Sequence, residues 1–186
     1  MATDEDSEAV IVGTPTGPIT IQGAVHAKWR ALRAETTPDG DDVQAHLGHP
    51  LAEHVAISLG HGSGTVQLFH RGMIVVRADG RAFVVYGAIY DHYGGIGGIC
   101  SDLGQPTSDE EAAGRGGRVA HFDHGDIYWR EDVGAWEVHG ARRDRYAARG
   151  YPFTMSWAER AAAVIRRVRR AARRYRRPRA GPGPSA

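Results

Sequence analysis

The chain has one cysteine, Cys100, in 186 residues, which excludes an internal disulfide and any metal centre built on several thiolates. Beside Ile99 in a glycine-rich stretch, Cys100 reads as a small buried hydrophobe. No apolar run approaches the roughly 18 residues of a membrane-spanning helix. The N-terminus, MATDEDSEAV, is acidic and has no basic segment leading into a long apolar one. Residues 1–8 therefore read as a disordered acidic lead without a secretion signal, which by itself points to the cytoplasm. Catalytic templates are also missing. HGSGT at 61–65 has His where a nucleophile elbow needs Gly, and it reads as a loop between strands. GGIGG at 94–98 is followed by no Gly-Lys-Ser/Thr and reads as the end of a helix rather than a phosphate loop. His46, His49, His54, His61, His121 and His124 follow no zinc-ligand spacing. No enzyme activity, metal or cofactor is expected.

Abundant instead are glycine and proline, 25 and 9 residues respectively, as a turn-rich fold of short elements requires. The near-neutral net charge hides an asymmetry. Residues 157–180 hold ten Arg and one Glu, a local charge of +9, which leaves the remaining 13 basic and 21 acidic residues at −8. Ser156 and Glu159 form a capping box that opens a helix over 156–177. On it Trp157, Ala161, Val164, Ile165, Val168, Ala171, Ala172 and Tyr175 share one face. Arg166, Arg167, Arg169, Arg170, Arg173 and Arg174 occupy the rest and suit an anionic surface. Three uses fit: docking on the acidic body, lying on an anionic membrane surface, or contacting nucleic-acid phosphates, the least favoured of the three. Pro178 stops the helix, and 178–186 is a flexible tail.

The body, residues 9–153, is organised by an internal repeat. VYGAIYDHY at 85–93 resembles IQGAVHAKW at 21–29 and VHGARRDRY at 138–146, each with an aromatic six residues after the glycine. LGHP at 47–50 returns as LGQP at 103–106, with Gly150-Tyr151-Pro152 a degenerate third copy. Phe69/Gly72/Ile74 returns as Phe122/Gly125/Ile127. Gly87 and Gly140 share that spacing of 53 residues. In each unit VAHFD, His124-Gly125 and DIYW predict a hairpin whose glycine supplies a positive φ. AWEV is a third strand, Gly-Ala-x-x-x-x-Tyr a short helix, and LGxP a rigid turn. The expected fold is mainly β with short α: tandem repeats of about 53 residues, each of three antiparallel strands and a short helix.

LGQPTSDEE at 103–111, HFDHGDIYW at 121–129 and VYGAIYDHYGG at 85–95, with LGHP as a weaker copy, resemble the LGFP-repeat family of actinobacterial envelope proteins. The resemblance covers about residues 10–153. It implies a non-catalytic module that associates with the cell envelope by holding wall polysaccharide, and a propeller-like array. Here the array is incomplete, with two nearly full units between two partial ones, which leaves room for self-association.

Aromatic rings recurring at unit positions suit sugar, since they offer a flat apolar face and a polar edge. Tyr90, Tyr93, Tyr128 and Trp129 are the candidates, with Asp109 and Glu110 as acceptors for sugar hydroxyls. The same aromatics also suit an inter-unit core. A rival reading is an intracellular adaptor tethered to anionic membrane or nucleic acid by the Arg-rich helix.

Overall fold

A computed structural model describes residues 8–37, 40–59 and 62–140. The helix expected over 156–177, with Arg166, Arg167, Arg169, Arg170, Arg173 and Arg174, lies outside them. The described chain opens with β1 (Ala9–Thr14), β2 (Gly17–Gln22), α1 (Gly23–Ala31) and α2 (Val43–Leu47). A first full unit follows: β3 (Val55–Leu59), β4 (Gly62–Phe69), β5 (Gly72–Arg77), β6 (Ala82–Tyr86) and α3 (Gly87–Gly95). The second supplies β7 (Glu111–Ala112), β8 (Arg118–Phe122), β9 (Gly125–Arg130) and β10 (Gly134–His139). All pairing is antiparallel. The three strands read from the sequence form in each full unit, and a fourth, β3 or β7, joins at the edge. The initial hairpin β1–β2 corresponds to the last two strands of a unit.

Backbone conformation repeats as faithfully as sequence. Gly23, Gly87 and Gly140, which open the three Gly-Ala segments, have φ of +58°, +56° and +54°. This left-handed step is strained for any residue with a Cβ, and at Gly23 and Gly87 it turns a strand directly into a helix.

What makes the units interdependent is that the middle sheet has two buried faces. Along β5 and β6 the side chains alternate between two separate cores. Ile74, Val84 and Tyr86 join Ile21, Val25, Leu32, Val43, Leu47 and Phe69 in the first. Met73, Val75 and Val85 join Ile89, Tyr93, Leu103, Ala120, Phe122 and Ile127 in the second. The middle sheet is thus the wall between two cores, and neither core is made by one unit alone.

LGxP forms the same seam twice. Backbone N–H groups of the β4–β5 turn donate from Arg71 to Leu47 O and from His70 to His49 O, both at 3.0 Å. In the next unit His124 donates to Leu103 O and Asp123 to Gln105 O, again at 3.0 Å. The two hairpin turns therefore lean on the LGxP carbonyls, while the Leu side chains enter successive cores.

The sequence misplaced that turn. Phe122 pairs with Gly125, so Asp123-His124 are the loop residues and Gly125 begins a strand. Neither Gly125 nor Gly72 has a positive φ. Their lack of a side chain answers close approach instead. A Cβ on Gly125 would lie 2.6 Å from Leu103 Cδ2 and 2.7 Å from Val138 O, and one on Gly72 2.5 Å from Leu47 Cδ2 and 2.6 Å from Val85 O. Two smaller readings also change. Gly62–Thr65 of the HGSGT stretch lie in β4 rather than in a loop, and Cys100 is exposed rather than buried.

Candidate functional site

At the junction of the units a crevice of about 100 Å³ is lined by Thr37, His46, Tyr86, Gly87, Ala88, Ile89, Glu110 and Trp129. The left-handed glycine at the β6–α3 junction contributes directly. His46 Nε2 would lie 3.7 Å from a Cβ at Gly87, so the bare backbone keeps that wall open. The His46 ring stands edge-on to Tyr86, with ring centres 5.7 Å apart. Glu110 comes from the segment after LGQP, and Trp129 from β9.

Glu110 is a carboxyl group removed from bulk water, its side chain only 8% exposed. Arg118 Nε donates to its Oε1 at 3.0 Å and Arg118 Nη2 to its carbonyl at 2.9 Å. The other carboxyl oxygen receives no hydrogen bond from a described residue. Burial pushes the Glu110 pKa above the ordinary 4.5, and the Arg118 hydrogen bond and charge offset only part of that rise. The Tyr86 phenol is pushed up to about 12, first by burial and then by the Glu110 charge. Tyr86 therefore stays protonated as a donor throughout the physiological range. The crevice thus combines an aromatic ring, an apolar floor and a few polar groups. Apolar walls with a few polar groups are the usual make-up of a small-ligand site. The volume of the crevice admits one ring or a substituent, since sites for whole drug-sized ligands span about 300–1,000 Å³.

Of the residues singled out from sequence, only Glu110 and Trp129 meet here. Tyr93 and Tyr128 are corrections, being 0% and 1% exposed and out of reach of a ligand. Tyr93 donates to Gly104 O at 2.6 Å and packs on Phe122, and burial raises its pKa, helped by the Asp123 charge. Tyr128 donates to Asp126 Oδ2 at 3.2 Å and stacks on Trp136. Tyr90 is half-buried against the second core. Asp109 is a latch: its Oδ1 accepts from Val84 N at 2.8 Å and its Oδ2 from Lys28 Nζ at 2.5 Å. One unit earlier Glu53 Oε1 accepts from Thr20 N at 2.9 Å. Thr20 and Val84 each stand three residues before the Gly-Ala glycine, so the latch is a property of the repeat. Thr37, His46 and Tyr86 were missed because Thr37 lies in a linker, His46 in the five-residue α2, and Tyr86 at a repeat position held by Gln22 and His139 in the other copies.

One cluster has the composition of a hydrolytic triad. His121 Nδ1 lies 2.7 Å from Asp126 Oδ1, and Ser108 Oγ accepts from the His121 backbone N–H at 3.1 Å. The serine proton, however, goes to Asp109 O at 2.7 Å rather than to the imidazole. Base and nucleophile are not coupled as acyl transfer requires. The group fastens the Ser108 segment to β8. Among the described residues no three His, Cys, Asp or Glu side chains converge as metal ligands.

No curated protein matches the chain. The family model described as LGFP repeat matches residues 47–99 and again 103–152, more than half of the chain. Each match begins at the LGxP leucine and takes in the hairpin and the Gly-Ala glycine of its unit. With the shared seam, the shared left-handed glycines and the shared latch, the chain belongs to the LGFP-repeat family, carrying two tandem copies.

Proposed function

We propose that the chain is a non-catalytic envelope-associated module that binds wall glycan, and that the crevice between Glu110 and Trp129 takes one sugar ring. The observation that carries this is the pairing of a half-buried indole with a desolvated carboxyl whose second oxygen has no donor among the described residues. A pyranose ring packs its C–H face on the indole, and its hydroxyls donate to Glu110 and accept from Tyr86. Repeat membership supports a binding role. In arrays of this kind affinity comes from presenting several modest contacts along one polymer.

The test is cosedimentation of the full chain with insoluble wall polysaccharide, alongside Glu110→Gln and Trp129→Ala variants whose melting temperatures are checked. The parent should pellet, and each folded variant should lose at least about tenfold in affinity, which is ~1.4 kcal/mol. If the parent stays in the supernatant, or both variants pellet like it, the assignment fails.

The ten arginines between residues 157 and 180 favour a second reading, tethering to an anionic membrane or to nucleic acid. A version ending at Ser156 separates the two. Loss of polysaccharide binding would place the activity in the basic segment. Loss of vesicle binding alone would make that segment an auxiliary anchor.

A further inference from the structure

Among the described residues no strand lies beside the outer edge of β1, and the register fixes the hydrogen-bond parity of that edge. Thr20 on β2 accepts at its carbonyl from Gln67 Nε2 at 3.1 Å and donates its N–H to Glu53. Both groups therefore point away from β1. Thr20 is the register partner of Ile11. In an antiparallel ladder such a pair is non-hydrogen-bonded, so the N–H and C=O of Ile11 point away from β2 as well. The same holds for Gly13, whose partner Pro18 has no N–H to give, and for Ala9.

The full units show what belongs at this edge. Ile74 holds in β5 the place of Ile11, since its partner Val84 also stands three residues before the Gly-Ala glycine. On its other side Ile74 pairs with Gln67 of β4. Residues 72–75 of β5 and 125–128 of β9 are all buried, whereas β1 alternates between exposed and half-buried, with Ile11 72% exposed. Among the described residues no strand pairs with β1 on that side. Native edges are usually protected by a charge, a proline or a bulge. The strand AVIVGT has none of these.

We propose that two copies of the chain join through their β1 edges, antiparallel about a two-fold axis centred on Ile11. The result is a four-stranded sheet, β2-β1 of one copy continued by β1-β2 of the other, matching the strand number of both full units. Ile11 pairs with the second copy's Ile11, and Ala9 with the second copy's Gly13, giving about six backbone hydrogen bonds. The contact is self-complementary in chemistry. The outward side chains are Ala, Ile and Gly, while Val10 and Val12, half-buried against the first core, gain cover from their counterparts. Glu8, paired with Arg30, faces the second copy's Thr14, so no like charges meet. The β1 edge shares no residue with the crevice. A short strand pair falls in the small-interface class below about 1,200 Å², where association is weak and concentration-dependent.

The test is sedimentation velocity of the full chain from about 1 to 200 µM, the range in which a weak interface fills, with amide hydrogen exchange of residues 9–13 at both ends. The parent should pass from monomer to dimer, and the Ile11 amide should become protected as it does so. Ile11→Pro removes an outward N–H and no inward one, and should weaken dimerisation at least about tenfold. Ile11→Lys, which leaves the backbone intact, should do the same and serves if the proline variant does not fold. A parent that stays monomeric throughout overturns the proposal. So does a dimer whose 9–13 amides exchange at the monomer rate, because association then uses another surface.

Discussion

Replacing Gly125 by alanine asks whether that glycine serves a turn or a close approach. The added Cβ meets Leu103 Cδ2 at 2.6 Å and Val138 O at 2.7 Å, with His139 Cα at 3.5 Å. The leucine tip can move, but the carbonyl is part of the β9–β10 ladder and cannot shift without breaking it. Overpacking of this kind costs about 1–3 kcal/mol. Removing a glycine also restricts the unfolded chain, which returns about 0.4–1 kcal/mol. The net loss is about 1–2 kcal/mol, or a fall in melting temperature of roughly 3–6 °C for a domain of this size. Gly72→Ala, facing Leu47 Cδ2 at 2.5 Å and Val85 O at 2.6 Å, should lose as much. Gly13→Ala is the control. It also sits in a strand without a positive φ, and nothing lies within 4 Å of its Cβ position, so it should be neutral or slightly stabilising. Asparagine sharpens the comparison, because it tolerates left-handed φ better than most residues. If Gly125 served a left-handed turn, Gly125→Asn would be milder than Gly125→Ala; on steric grounds it should be at least as harmful. Denaturant unfolding of the variants reads all of this. A Gly125→Ala protein as stable as its parent, or a Gly13→Ala protein as damaged as Gly125→Ala, would refute the reasoning.

Tyr93→Phe removes one buried hydrogen bond, to Gly104 O, and should cost about 1–1.5 kcal/mol in urea titration while leaving polysaccharide binding unchanged. Asp123→Ala takes the acceptor from Arg77 Nη2 and from Gln105 N–H across the seam between units. A loss of about 2–3 kcal/mol should follow in the same titration, exceeding that of an exposed pair such as Arg81–Asp79. Burial alone would raise the Glu137 pKa, but the His92 hydrogen bond, a backbone bond and the His92 and His139 charges outweigh it and hold the carboxyl below its ordinary 4.5. The unfolded chain then binds more protons than the folded one below that value. The stabilisation is complete above pH 4.5 and fades as pH falls through the folded pKa. Urea midpoints between pH 5 and 3 should drop less steeply in His92→Gln than in the parent.

The repeat was legible because its landmarks are residues that backbone geometry constrains. Gly-Ala marks the left-handed strand-to-helix step, and the LGxP leucine enters a core at a fixed offset from a Phe-x-x-Gly hairpin. Strand content followed from alternation, and α1 and α3 fell where the Gly-Ala segments placed them. The turn at Asp123-His124 was misjudged because X-Gly is ambiguous. A glycine needed for φ and one needed for closeness look alike in sequence, and only Leu103 and Val138 tell them apart. Edge strands β3 and β7 pair on one side only, and β7, with two residues, is too short to carry a pattern. The site was half legible. Glu110 and Trp129 stand within the repeat landmarks, whereas Thr37 reaches the crevice from a linker and His46 from the short α2. Tyr93 shows the limit of inferring contact from recurrence, since a ring that returns in place of Trp29 is as well explained by the core, and Tyr128 holds the place of Val75, itself buried.

The middle sheet, with one face in each of two cores, has a consequence for how such a chain can change over generations. A unit copied in tandem arrives with both faces already shaped for its neighbours, because the surface it offers forward is the one it was built to receive behind. Growth by duplication then needs no new interface, and array length becomes a freely adjustable trait. The restriction falls on divergence instead. A substitution at Ile74 or Met73 alters the fit to one neighbour only, so drift in any unit must be answered by the unit beside it, and adjacent copies evolve as a pair.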